Sequence, residues 1–202
     1  TTGSTHLFNQ DANNNVSGGE YSLTVGRNNT TSTRYSITSG FNNTNTGDST
    51  IVNGEQNTNN NNYNLINGIN NNVESINNII NGQFHQIDAS ANCNIINGYN
   101  NEANASSEYN IINGQSQYVT GSNNLTTGYD NTIRGNYNLV HGRDFDSSNM
   151  INCAAMACDF PAGITDIVDT TNSLLISSTS TSNMLNNADE CTLISTQNSS
   201  LG

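Results

Sequence analysis

The 202-residue chain contains no lysine and no tryptophan, one proline and only four arginines, Arg27, Arg34, Arg134 and Arg143. Binding to phosphate backbones requires a basic stripe, and a formal net charge of −12 leaves none. Nucleic acid is therefore not an expected partner, and an acidic surface also disfavours anionic membranes. No run reaches the roughly 18 apolar residues of a membrane helix, so direct membrane insertion is not expected either. The opening Thr1-Thr2-Gly3-Ser4 carries neither an initiator Met nor a signal peptide, the pattern expected of a processed protein or an excised piece of a longer one. The four cysteines, Cys93, Cys153, Cys158 and Cys191, are too scattered for a disulfide scaffold.

Charged residues make up 10% of the chain and about a fifth of it is Asn. Taken alone, that composition suggests disorder. Periodicity argues the opposite. The phrases Tyr63-Asn64-Leu65-Ile66-Asn67-Gly68 and Tyr109-Asn110-Ile111-Ile112-Asn113-Gly114 belong to one repeat, whose glycines are Gly26, Gly40, Gly54, Gly68, Gly82, Gly98, Gly114, Gly128 and Gly142. They stand 14 residues apart except for two steps of 16. A fixed period of this kind marks a solenoid, one coil per repeat, and 14 residues suffice for two short strands and two tight turns. The fold class expected is all-β, a two-sided parallel solenoid.

Side chains alternate across a strand, so each column of the repeat receives a side. The column three residues before each glycine is aliphatic throughout, from Leu23 and Ile37 to Leu125 and Leu139, and is expected inside the coil. The next column then faces outward and presents Val52, Ile66, Ile80, Ile96, Ile112 and Val140, a ridge of exposed aliphatics that predicts self-association. The column before the glycine returns inside and would stack Asn53, Asn67, Asn81, Asn97 and Asn113 as an interior amide ladder. A second polar column runs Asn29, Asn43, Asn57, Asn71, His85, Asn101, Gln117 and Asn131, and two residues further on Val73, Ile87, Val119 and Ile133 supply a thinner apolar lining. The glycine is expected to need a positive φ.

With small polar, aliphatic and glycine positions followed by Asn three residues on and a small apolar residue five on, the repeat resembles the head of trimeric autotransporter adhesins. Related rolls occur in phage and large-virus fibres. That resemblance covers Tyr21 to about Met156, and it implies a left-handed parallel β-roll of which three copies pack along one axis, a homotrimer. Asn stands here where the family has an aliphatic residue before the glycine, and without heptads and flanking charges in residues 157–202 no coiled-coil stalk is expected there.

Three segments are expected. Residues 1–20 form a degenerate N-terminal coil or cap, with Leu7 aligned on Leu125. Residues 21–156 form the regular 14- and 16-residue coils, in which Cys153 replaces a core aliphatic and Cys93 a tyrosine. Residues 157–202 form longer, irregular coils or a transition segment. The two 16-residue coils lengthen adjacent turns at Asp88–Asn92 and Asn104–Glu108, and insertions on one edge of a solenoid are candidate binding features.

Candidate chemistry is sparse. Asp144 and Asp146 share a strand face and are the weak candidates for a cation site; neighbouring His141 falls in the structural Asn column, and no cofactor is implied. Paired carboxylates and aromatic walls for polysaccharide cleavage are missing, so no reaction is expected. Thr30-Thr31-Ser32-Thr33 and Thr44-Asn45-Thr46 are rich in threonine, as an ice-binding sheet would be, without recurring in phase from coil to coil. The function expected is a structural or adhesive module of an extracellular, cell-surface or virion fibre. It would meet a host-cell, matrix or glycan surface multivalently, or alternatively serve as a fibre segment that binds no receptor.

Overall fold

The computed structural model describes residues 6–8, 15–143, 147–148, 150–151, 154–159, 167–168, 174–178 and 192–196; side chains are considered within 15–143. The chain winds as a parallel β-solenoid of about nine regular turns. Each coil gives a five-residue strand to one sheet and a strand of mostly two residues to another, as in Ile79–Gln83 followed by Gln86–Ile87. Among the described residues the long sheet has 13 strands and the short sheet 10, and a further two-stranded sheet pairs Ser147–Ser148 with Ile167–Val168. Register is columnar: Ile79 pairs with Leu65 and Ile95, and Asn81 with Asn67 and Asn97.

The two faces of the long strand are the reverse of the sequence expectation. Val52, Ile66, Ile80, Ile96, Ile112 and Val140 are all 0% exposed within a single chain, and with Val73, Ile87, Ala103, Val119 and Ile133 of the short strands they form the core. The preceding column, Ile37, Ile51, Leu65, Ile79, Ile95, Ile111, Leu125 and Leu139, is exposed to solvent. The predicted trimer ridge is thus the core, and the predicted core is the surface. Asn53, Asn67, Asn81 and Asn113 are exposed and Asn97 half-buried, so the expected interior ladder also runs outside.

Strand alternation fixes only that neighbouring columns oppose; the phase has to come from other positions. It comes from the glycine, which shares its parity with the buried column. A Cβ built on Gly54 would lie 1.9 Å from the Gly68 carbonyl oxygen, at φ +125°, where side chains are disfavoured. The glycine therefore faces inward at a corner with no room for a side chain, and the column two residues before it is internal as well. The column just after the glycine, which holds Arg27, Glu55 and Arg143, has the parity of Ile79 and is external.

Two amide ladders lie at the corners that join the sheets. In the first, Asn29, Asn43, Asn57 and Asn71 are fully or almost fully buried. Nδ2 of Asn57 donates to Oδ1 of Asn43 at 3.0 Å and to the Gly68 carbonyl at 2.8 Å, while the backbone N–H and Nδ2 of Asn71 both donate to Oδ1 of Asn57. In the second ladder the backbone N–H groups of Asn78, Asn94, Asn110, Asn124 and Asn138 each donate to the amide oxygen of the preceding coil at 2.8–2.9 Å. Buried amides are tolerated because they are paired in this way.

His85 occupies one rung of the first ladder. Its Nδ1 accepts the Asn101 N–H at 3.1 Å, as an Asn oxygen would, which assigns the proton to Nε2. Burial, opposed by smaller contributions from backbone hydrogen bonds, holds the imidazole below its ordinary pKa.

Toward the N-terminus the core becomes polar. Thr24 Oγ1 donates to Thr31 Oγ1 at 2.8 Å and Asn45 Nδ2 to Thr38 Oγ1 at 3.2 Å. Two alignments slip by one residue: Leu7 pairs with Thr24 rather than with the Leu23 column, and Ala154, not Cys153, pairs with Leu139. On the short sheet Thr30, Thr44 and Thr58 pair in register, so threonines do recur in phase over three coils.

Candidate interaction face of the long sheet

The outer face of the long sheet is a set of parallel columns. At its centre runs the aliphatic column, with Ile79 45% and Leu65 42% exposed. Beside it lies the outer amide column, in which Ser39 Oγ donates to Asn53 Oδ1 at 2.8 Å, Asn53 Nδ2 to Asn67 Oδ1 at 2.9 Å and Asn67 Nδ2 to Asn81 Oδ1 at 3.2 Å. A groove of about 420 Å³ follows the line between the two columns around Leu65 and Ile79.

On the other side stand Tyr21, Tyr35, Tyr63, Tyr109 and Tyr137, about 60% exposed, all with φ between 56° and 60°. Non-glycine residues in that backbone region carry strain, and bulky ones are uncommon there. Ser49, Asn77, Cys93 and Asn123 occupy the same column with the same φ sign. The column therefore mixes large and small side chains, and a groove of about 400 Å³ runs past Ser49, Tyr63 and Asn77. Tyr21 and Tyr35 stack with ring centroids 5.4 Å apart.

The fourth column holds Arg27, Phe41, Glu55, Ile69, Gln83, Tyr99, Gln115, Tyr129 and Arg143. Arg27 lies over the Phe41 ring at 5.8 Å and Arg143 over Tyr129 at 5.5 Å, the two ends mirroring each other. Of the eight acidic residues between positions 15 and 143, Glu55 alone stands on this face. The other seven acidic residues of this span lie in turns and on the short-sheet side. There burial, reinforced by Asp88, pushes the Glu102 carboxyl above its ordinary pKa.

The residues predicted as binding turns close on one another. Ala91 N–H donates to the Asp88 carbonyl and Ser107 N–H to the Asn104 carbonyl, each at 3.0 Å, closing two tight turns. Asn92 Nδ2 reaches Glu108 Oε1 at 3.3 Å, Gln86 Nε2 donates to Asp88 Oδ1, and Asn104 Nδ2 to the Tyr118 hydroxyl. Asp144 and Asp146 lie outside the described residues. His141 is exposed in the outer amide column, with Nδ1 2.6 Å from Thr127 Oγ1.

The aliphatic, amide and tyrosine columns are continuous in the amino-acid sequence. Its signal for which of them faces out was the chemically mixed column after the glycine, whose parity they share. No protein-family model, curated protein or solved structure matches this chain.

Proposed function

We propose that the chain is a non-catalytic structural and adhesive module of an extracellular, cell-surface or virion fibre, which works as an assembly of copies packed through the outer face of the long sheet. The observation that carries this reading is the aliphatic column from Ile37 to Leu139, open to solvent and almost free of charge. Soluble monomers rarely expose contiguous apolar surface on that scale. Nine strands at ~4.8 Å spacing and seven residues at ~3.3 Å define a face on the order of 900 Å², comparable to the ~800 Å² each partner contributes to a stable interface. A second copy suits it better than a charged partner, because the face carries almost no net charge to be matched. The ridge predicted for self-association is thereby transferred by one residue along the strand, and the association itself is retained.

Sedimentation equilibrium over a wide concentration range tests this. Self-association is expected in the native chain and should be lost in an Ile79→Asp, Ile95→Asp variant whose far-UV spectrum is unchanged. A chain that stays monomeric at all concentrations would refute the reading. A glycan and cell-binding screen of the assembled form separates adhesive from purely scaffolding use, and a blank screen favours scaffolding.

One observation favours a second reading. Thr30, Thr44 and Thr58 stand in register on the outer short sheet, with Ser32 and Thr46 two residues further along. A hydroxyl array at ~4.8 Å spacing suits an ice surface. Thermal hysteresis would support that use, and its absence would remove it.

A further inference from the structure

We infer that two copies meet face to face and antiparallel, about a twofold axis through the strand Ile79–Gln83. This inference rests on the self-association proposed above and adds its direction and register. The face carries an approximate palindrome about that strand. A half-turn about the strand direction keeps each column opposite itself and sets the coil of Gly68 against that of Gly98, Gly54 against Gly114, and Gly40 against Gly128.

In the tyrosine column this pairing sets large against small. Tyr35 meets Asn123 of the second copy, Tyr109 meets Ser49, and Tyr63 meets Cys93. Each of these three rings thus faces a gap, with Tyr21 and Tyr137 meeting at the ends, and the groove beside Ser49 and Tyr63, about 400 Å³, is of a size to admit one. The column after the glycine matches in the same register, aromatic Phe41 against Tyr129, apolar Ile69 against Tyr99, and Glu55 against the neutral Gln115. The aliphatic column meets itself, and the outer amides meet amides that retain an unused N–H. Turns follow the same rule: the two lengthened turns, Asp88–Ala91 and Asn104–Ser107, lie beside short turns of the opposite copy. Arg27 and Arg143 meet at the solvated ends, each already over its own ring, where screening keeps repulsion small.

A parallel arrangement with equal coils at equal height, as in the threefold bundle that the resemblance implies, loses this fit. A half-turn about the stacking direction reverses the order of the columns, so that with the aliphatic column on itself the tyrosines fall on the outer amides and the column after the glycine has no counterpart. Shape and charge complementarity select the antiparallel pair.

Disulfide trapping in the full-length chain tests the pairing, with Cys153, Cys158 and Cys191 replaced by Ser, Cys93 retained and Tyr63→Cys introduced. Positions 63 and 93 are two coils apart in one chain, ~9.6 Å, beyond the roughly 7 Å Cα separation that a disulfide spans. Oxidation of the associated protein should give a covalent dimer whose peptide map joins position 63 to position 93. Links of 63 to 63 and 93 to 93 would overturn the antiparallel pair while leaving self-association standing, as would an associated protein that forms no link. A protein that is monomeric before oxidation would overturn both. As a second variant, Ser49→Trp fills a gap and should weaken association at least about tenfold with the fold retained. Unchanged association in this variant would also count against the pairing.

Discussion

Truncating two adjacent isoleucines of one strand should have opposite consequences. Ile80 is fully enclosed between the sheets and stacked between Ile66 and Ile96, whereas Ile79 keeps 45% of its surface in water. Ile80→Ala removes buried methyl groups and leaves a cavity in a core one side chain deep, which costs about 2–5 kcal/mol. Ile79→Ala removes side-chain surface that is only partly covered, for under about 1 kcal/mol in the single chain. The assay is urea unfolding at concentrations where the chain is monomeric. Because a repeat array need not unfold as one unit, hydrogen exchange of the strands Leu65–Ile69, Ile79–Gln83 and Ile95–Tyr99 should be read alongside. Ile80→Ala should lower protection in all three strands, and Ile79→Ala should change association instead. If Ile79→Ala were the more costly of the two in the monomer, the assignment of inside and outside would be wrong, and the interaction face would go with it.

Other perturbations separate the remaining features. His85 is held neutral in the fold, so its contribution is present above its unfolded pKa of about 6.5 and is lost as pH falls through the lower folded value; His85→Asn should flatten that part of a stability profile taken between about pH 7.5 and 4.5. Gly82→Ala would set a Cβ 2.0 Å from the Gly98 carbonyl oxygen and 2.6 Å from His85 Nε2. A loss of several kcal/mol is expected, at the upper end of single substitutions, and unchanged thermal stability would refute the close approach. Asn57→Ala in the buried ladder leaves donors of Asn71 and the Gly68 carbonyl without partners, at about 1–3 kcal/mol for each unpaired group. Asn67→Ala in the outer column should fall within about 0.5 kcal/mol in the monomer, and equal losses for the two would mean the columns are not on different sides.

Period, strand positions and the inward glycine corner were legible in the repeat because the 14-residue spacing and the glycine column express one constraint, stacking without room for a Cβ. Hydrophobicity points to the opposite phase because it is most uniform in the Leu23-to-Leu139 column, while the true core column contains Thr24, Thr38 and Thr126. Two of these threonines are acceptable inside because their hydroxyls are bonded, Thr24 to Thr31 and Thr38 to Asn45. Those bonds cross from one sheet to the other and cannot be seen in a single column of letters. The correct phase was available in the mixed column after the glycine, since Arg27, Glu55 and Arg143 cannot all be internal. An exposed aliphatic column follows from either phase, because two adjacent aliphatic columns on one strand guarantee that one of them is outside.

The amide ladders bear on the proposal that the exposed aliphatic column meets a partner. Each amide of the first ladder bonds to the coil before it and the coil after it, so an isolated coil leaves much of the bonding of its buried amides unmade and stacking completes it. An Asn-rich chain whose composition alone suggests disorder is held in register by the groups that make it polar. With register set at the corners, the column at Ile79 has no structural duty that a small polar residue could not perform. Strand propensity does not account for it, because Leu23, Leu65, Leu125 and Leu139 lack the β-branch that strands favour. Thr, Ser or Val would serve an exposed strand equally well and be more soluble or more β-forming. Leu and Ile at all nine positions fit burial, and since the chain buries none of them fully, they support the second surface proposed above.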